Sequence, residues 1–96
     1  MKKYVIDERE WDFRVDSGRI ELNKVRHGFE GTYTHTKYGT VGVCLTTTLT
    51  EPEEFVLMFD VFKKGRVYRK QICLSKCPTE RWIGLQAKRF AEMVVE

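Results

Sequence analysis

The sequence lacks most of the features that assign a small protein to a special class. It has 2 prolines and 3 cysteines in 96 residues, and no internal repeat or low-complexity tract. These absences argue against a disordered chain, a solenoid and a disulfide framework. No apolar run reaches the ~18 residues of a membrane span, and charged residues from Asp7 onward leave no apolar signal segment. We therefore expect one folded domain over residues 1–96, with no membrane partner, in a reducing, cytoplasmic compartment.

Motifs of the common catalytic sites are also absent. No GxSxG, HExxH, P-loop or GxGxxG occurs, so no nucleophile elbow, zinc-protease helix or phosphate loop is indicated. Cys73 and Cys77, with His27, His35 or Cys44, are candidate zinc ligands, but their spacing gives no second close pair. Cys44 and Cys73 fit better as small buried strand residues, and Cys77 as a thiolate that a nearby helix start activates. We expect no enzyme activity, no metal and no cofactor.

Three pairs of β-prone segments are present instead. Apolar and charged residues alternate around a Gly-containing turn from about Glu10 to Val25, which predicts a first hairpin. Thr32–Thr36 and Thr40–Leu49 predict a second. Phe55–Phe62 and Val67–Leu74 flank a Lys-Lys-Gly-Arg turn and predict a third. Because Phe55–Phe62 is apolar on both faces, we expect this strand at the centre of the sheet, under a helix.

A helix is predicted after the last strand. Pro78 suits a first helical turn, and the next breaker is Gly84. Apolar residues then recur at helical spacing, namely Ile83, Ala87, Phe90 and Val94. The expected fold is therefore α+β. It is a twisted antiparallel sheet of about six strands, in three hairpins within about residues 3–74, with one C-terminal amphipathic helix, about 78–95, packed on one face.

Charge is distributed unevenly along this predicted fold. The net charge is +3, yet residues 61–79 contain six positive side chains and no negative one. Basic residues interleaved with Phe62 and Tyr68 suit backbone neutralisation together with an aromatic stacking platform. The nucleic-acid-binding residues that we predict are Lys63, Lys64, Arg66, Tyr68, Arg69, Lys70, Lys76 and Arg81. Residues on other strands are candidates to share one wet face, namely Arg14, Arg19, Lys24, Arg26 and Tyr33.

The last strand and the helix carry one resemblance. A basic strand ending in Ile72-Cys73-Leu74-Ser75, then Glu80-Arg81-Trp82 on a helix, is similar in outline to the single-stranded-DNA-binding transcriptional coactivators and the plant Whirly proteins. The likeness covers about the last 40 residues. It implies a sheet with a C-terminal helix that binds single strands.

Two functions stay open at this point. The first is a small non-enzymatic nucleic-acid-binding module, single-stranded or sequence-nonspecific, that uses the basic β-hairpin. The second is a protein-interaction module, an inhibitor or adaptor of the kind common among mobile-element accessory proteins, that docks on a larger nucleic-acid-handling enzyme. Lysines at a hairpin tip also simply keep an edge strand soluble. An open sheet has two edges, so a homodimer through a sheet edge is a further expectation.

Overall fold

Six antiparallel strands and a helix follow one another in a computed structural model, which describes residues 11–15, 17–48 and 54–94, with backbone alone for 11–13. The elements are β1 (Trp11–Arg14), β2 (Gly18–Val25), β3 (Gly28–His35), β4 (Gly39–Thr47), β5 (Phe55–Lys63), β6 (Arg66–Leu74) and α1 (Glu80–Met93). Each strand pairs with the next, in the order β1-β2-β3-β4-β5-β6. The predicted α+β fold is confirmed. The part of the predicted strand region that precedes residue 11 lies outside the described residues.

Alternation along the strands separates two faces of the sheet. One face packs under α1 and contains the fully buried side chains of the sheet, for example Ile20, Phe29 and Leu57. The helix supplies Phe90, whose ring stacks on Phe59 with 6.0 Å between centroids. The other face, here called the open face, is formed by the alternate residues of each strand, among them Glu21, Glu30, Cys44, Met58 and Arg69. No helix or strand of the described ranges lies over the open face.

The start of α1 is fixed by a side-chain cap. Thr79 has extended backbone, and its hydroxyl accepts a hydrogen bond from the backbone N–H of Trp82 at 3.2 Å. Pro78 therefore precedes the cap, and the helix starts two residues later than predicted. Such a cap contributes about 1 kcal/mol to helix stability. None of the described helical residues form a segment long and apolar enough to cross a membrane.

The position of β5 differs from the prediction. β3 and β4 occupy the centre of the sheet, and β5 lies one strand in from the edge strand β6. Its helix-facing side chains, such as Phe59, are buried, but on the open face Met58 is half-buried and Phe62 is 71% exposed. The prediction of a central strand was wrong because apolar residues on both faces need not mean two covering layers. Here the second apolar face has no described cover.

Candidate nucleic-acid interface

The tip of the β5–β6 hairpin is not paired with the neighbouring strand β4. β4 pairs with β5 only as far as Gly42 and Asp60, so the described residues from Val61 to Tyr68 pair across the hairpin alone. The turn residues Lys64 and Gly65 both have positive φ, 51° and 77°. Two consecutive positive φ values are the pattern of a two-residue type I′ turn, whose twist matches that of the flanking strands. The tip is therefore a short two-stranded ribbon.

Register sorts the predicted binding residues between the two faces of this ribbon. Four of them share the helix side of the sheet, and we call them the basic stripe, which consists of Lys63, Arg66, Tyr68 and Lys70. The helix packs mainly against β2 to β5. Side chains on the helix side of β6 therefore stay accessible, from exposed Arg66 to half-buried Lys70. Same-face residues of a strand lie about 6.8 Å apart, at ~3.4 Å per residue.

The basic stripe combines three positive side chains with one aromatic ring that packing holds in place. Within the described part of the chain, no carboxylate lies within ion-pair distance of Lys63, Arg66 or Lys70. Tyr68 is half-buried and packs against the edge of the core, which limits its freedom to move. Anchoring favours stacking, because little side-chain entropy remains to be lost when a planar ligand binds.

Arg69 does not belong to this surface. It points to the open face, where its Nε donates to Oδ1 of Asp60 at 2.6 Å. The two residues are direct cross-strand partners. Period-2 alternation turns Arg69 away from Arg66 and Lys70, and Asp60 neutralises its charge. Lys64 is exposed at the turn between the two faces.

Lys76 and Arg81 lie at the other end of β6. Both are exposed. Lys76 lines a shallow hollow of about 350 Å³ together with Leu74, Cys77, Pro78, Thr79 and Trp82. Arg66 and Leu74 are eight strand positions apart, which is about 27 Å. Lys76 and Arg81 therefore extend the positive charge along the strand instead of adding to the hairpin tip, and Glu80 lies between them in the sequence.

The four other cations that were candidates for a shared wet face do not converge on one surface in the described part of the chain. Arg14 and Arg19 lie on the open face, and Arg19 is 3.6 Å from Glu21. Lys24 and Arg26 are exposed near the β2–β3 turn. Tyr33 is fully buried under the helix, so its predicted place on a wet face was wrong. Alternation in β3 puts Tyr33 on the core side, opposite Ile20 and Val41.

The three cysteines are free thiols. Cys44 is half-buried and Cys73 is exposed, both on the open face, so the prediction that both are buried was wrong. Burial, followed by the charge of Glu80, raises the pKa of Cys77, which overturns the prediction of an activated thiolate. Burial, then Glu30 and Asp60, raises the pKa of Cys44. No cluster of His, Cys, Asp and Glu suited to a metal occurs among the described residues.

From the sequence, His35 was predicted only as a candidate zinc ligand. His35 is buried, its Nδ1 accepts from the backbone N–H of Lys37 at 2.9 Å, and its Nε2 lies 3.3 Å from Oε2 of Glu92. Tyr38 packs on the ring at 4.8 Å between centroids. His35 thus ties the β3–β4 turn to the end of α1. The sequence held no signal for this contact, because the two partners are 57 positions apart.

Comparison with known proteins gives no relative. No family model matches the chain. No curated protein and no solved structure is detectably similar to it. The function must therefore be inferred from the arrangement of the residues.

Proposed function

We propose that this chain is a small non-enzymatic module that binds single-stranded nucleic acid without strong sequence preference. One observation supports the proposal above the others. Arg66, Tyr68 and Lys70 alternate as cation, aromatic ring and cation on the helix side of the edge strand β6, where α1 leaves them accessible. A polynucleotide that follows β6 meets a charge for a phosphate at Arg66 and at Lys70, and a ring for a base at Tyr68.

The same arrangement favours single strands over duplexes. Tyr68 can stack only on a base whose face is free, and bases in a duplex cover one another's faces. The stripe offers cations to the phosphates and a ring to the base faces, and every nucleotide has both, so we expect binding to be sequence-tolerant. Lys63 and Lys64 at one end of β6, and Lys76 and Arg81 at the other, lengthen the positive track.

Neighbouring residues on opposite faces of β6 provide a matched test. Lys70→Gln and Arg69→Gln remove the same charge at adjacent positions, and only Lys70 lies in the stripe. We measure the fluorescence anisotropy of a labelled single-stranded oligonucleotide at several salt concentrations. The double variant Arg66→Gln/Lys70→Gln should weaken binding about tenfold or more at low salt and reduce the salt slope by about 1.4, which is two phosphate contacts at ~0.7 each. Arg69→Gln should stay within about twofold of the parent chain.

Two results would overturn the proposal. One is an absence of binding by the parent chain at low salt. The other is an equal loss of affinity in Arg69→Gln and Lys70→Gln, which would mean that net charge, and not the stripe, governs binding.

A protein-interaction function is the second candidate, and the edge position of β6 favours it. β6 has nine residues and contains no proline, so its outer backbone groups can accept an added strand. Carboxylates of an extended acidic segment would then lie opposite Arg66 and Lys70. A pull-down with and without nuclease distinguishes the two candidates. A partner that survives nuclease and is lost in Arg66→Gln/Lys70→Gln supports an inhibitor or adaptor, whereas loss on nuclease treatment supports nucleic-acid binding.

A further inference from the structure

A row of apolar side chains runs along the open face of the β5–β6 hairpin. Every second residue of β5 points there, and Asp60 is the polar one among them. Phe62 and Val67 are direct cross-strand partners at the end of the row and are 71% and 60% exposed. Cys44 on β4 extends the row sideways, opposite Met58. We call this set the apolar strip, which consists of Cys44, Val56, Met58, Phe62 and Val67.

A balanced ion pair, Asp60 with Arg69, lies between the residues of the strip on the open face. Asp60 and Arg69 lie in the same row and hold each other at 2.6 Å, with side chains 42% and 60% exposed. The opposite side of the ribbon carries the basic stripe. Single exposed apolar residues are normal on a protein surface, but adjacent ones beside a charged pair are typical of a contact site between proteins.

We propose that the apolar strip binds a second copy of this chain, open face against open face, in an isologous dimer. A two-fold axis through the strip brings each apolar residue against the same patch of the other copy. The axis also brings Asp60 of one copy towards Arg69 of the other, so that four charges alternate in sign. Sheets packed face to face lie ~10 Å apart, a gap that Phe62 and Met58 from both copies can fill.

Charge favours a second copy over an anionic partner at this face. The described ionic side chains of the open face are Arg14, Arg19 and Arg69, balanced by Glu21, Glu30 and Asp60. Two copies can therefore approach through this face without the repulsion that a net charge of +3 gives the whole chain. The same balance offers no attraction to nucleic acid or to an anionic membrane surface.

The open face is also a better dimer contact than the β6 edge. Full-length antiparallel pairing of β6 with its copy would be centred on Lys70 and would place the two Lys70 side chains opposite each other. Like charges directly opposite destabilise a strand pair. Packing through the open face leaves β6 and its basic stripe accessible in both copies. The dimer does not depend on the proposed nucleic-acid binding.

Sedimentation velocity of the full chain over a wide concentration range tests the dimer. Phe62→Lys/Val67→Lys changes the two exposed residues of the strip, and Met93→Lys is the matched control, since Met93 is 66% exposed but lies at the end of α1. The parent chain should reach dimer mass at high concentration. The double variant should raise the dissociation constant about 100-fold, because two lost contacts of about 1.4 kcal/mol each correspond to that factor. Met93→Lys should change it less than about threefold.

Charge variants give a second test, whose expected result cannot arise from a loss of folding stability. Asp60→Arg leaves two positive side chains beside the strip, and Arg69→Asp leaves two negative ones. Each variant alone should therefore be monomeric, because like charges of the two copies would repel. A mixture of the two should form a heterodimer. A parent chain that stays monomeric at every concentration overturns the proposal. So does a dimer that Phe62→Lys/Val67→Lys leaves intact, or a mixture that fails to associate.

Discussion

Gly84 of the helix lies directly against Val15, the residue that leads from β1 into the first turn. A Cβ atom built on Gly84 would fall 2.0 Å from Cγ1 of Val15. No side chain fits in that space, so the glycine sets how closely the helix approaches this end of the sheet. The residue that looked like a weakness in the predicted helix is thus a packing requirement.

Gly84→Ala should destabilise the protein. In an open helix the change would stabilise by about 1 kcal/mol. Overpacking against Val15 costs about 1–3 kcal/mol, so the net destabilisation should reach about 2 kcal/mol. Urea unfolding measures the difference in the free energy of unfolding. Val15→Ala provides the control background, where Gly84→Ala should be less harmful. If Gly84→Ala, made with Val15 unchanged, stabilised the protein, the close contact between Gly84 and Val15 would be contradicted.

The tip of the β5–β6 hairpin offers a stabilising substitution. Lys64 has φ 51°, and left-handed backbone costs an ordinary residue about 1–2 kcal/mol. Asn tolerates this region and is preferred at the first position of a type I′ turn. Lys64→Asn should therefore raise stability by up to about 1 kcal/mol, measured by thermal unfolding. Lys63→Asn removes the same charge within β5 and should give no gain. If the two substitutions changed the stability equally, the left-handed conformation of Lys64 in a type I′ turn would be contradicted.

The carboxylate of Glu92 should make stability depend on pH in the acid range. The Lys88 ammonium, which lies 3.1 Å away, and then His35, lower the pKa of Glu92. A lowered folded-state pKa means that the stabilisation is complete above the unfolded carboxyl pKa and is lost as pH falls through the folded value. Glu92→Gln should therefore lower the melting temperature at neutral pH, and its difference from the parent chain should shrink on acidification.

Thermal melts from neutral to acid pH check this dependence. Glu30→Gln, a carboxylate on the open face with no ion pair in the described part of the chain, is the control and should show a smaller difference at neutral pH. A difference for Glu92→Gln that grows as pH falls would reverse the expected sign.

The three thiols should react at different rates with an alkylating reagent. Cys73 is exposed and should be modified first. Cys44 and Cys77 are half-buried and have raised pKa values, so less of each thiol is present as the reactive thiolate at mildly alkaline pH. Mass spectrometry over a time course measures the order, and Cys73→Ser should abolish the fast phase. Rapid modification of Cys77 would contradict its partial burial and its raised pKa.

Local patterns in the sequence predicted the strands and the helix because each hairpin closes within a few residues. Glycine-containing turns and period-2 alternation located β2, β5 and β6, and the 3.6-residue stripe located α1. The same alternation separates Arg69 from Lys70. What it could not show is that Asp60 is the direct partner of Arg69, because that depends on the register of the hairpin.

Contacts between residues far apart in the sequence could not be predicted from local patterns either. The burial of Tyr33 and the contact of His35 with Glu92 depend on where the helix lies over the sheet. The apolar second face of β5 was misread because apolar residues look alike whether a helix, another protein or water lies above them. An exposed Phe62 and a buried Phe59 give the same sequence signal.

The sequential strand order has a consequence for the order of events in folding. Every strand pairs with its neighbour along the chain, and the described turns Arg26-His27 and Lys64-Gly65 are short, so loop closure costs little entropy and the sheet should form quickly. The helix follows the six described strands in the sequence and is therefore synthesised after them. Until it docks, the side chains that it will cover, including Phe29, Phe55 and Phe59, face water. That interval is when a nascent chain is most exposed to aggregation, and fast docking of α1 ends it.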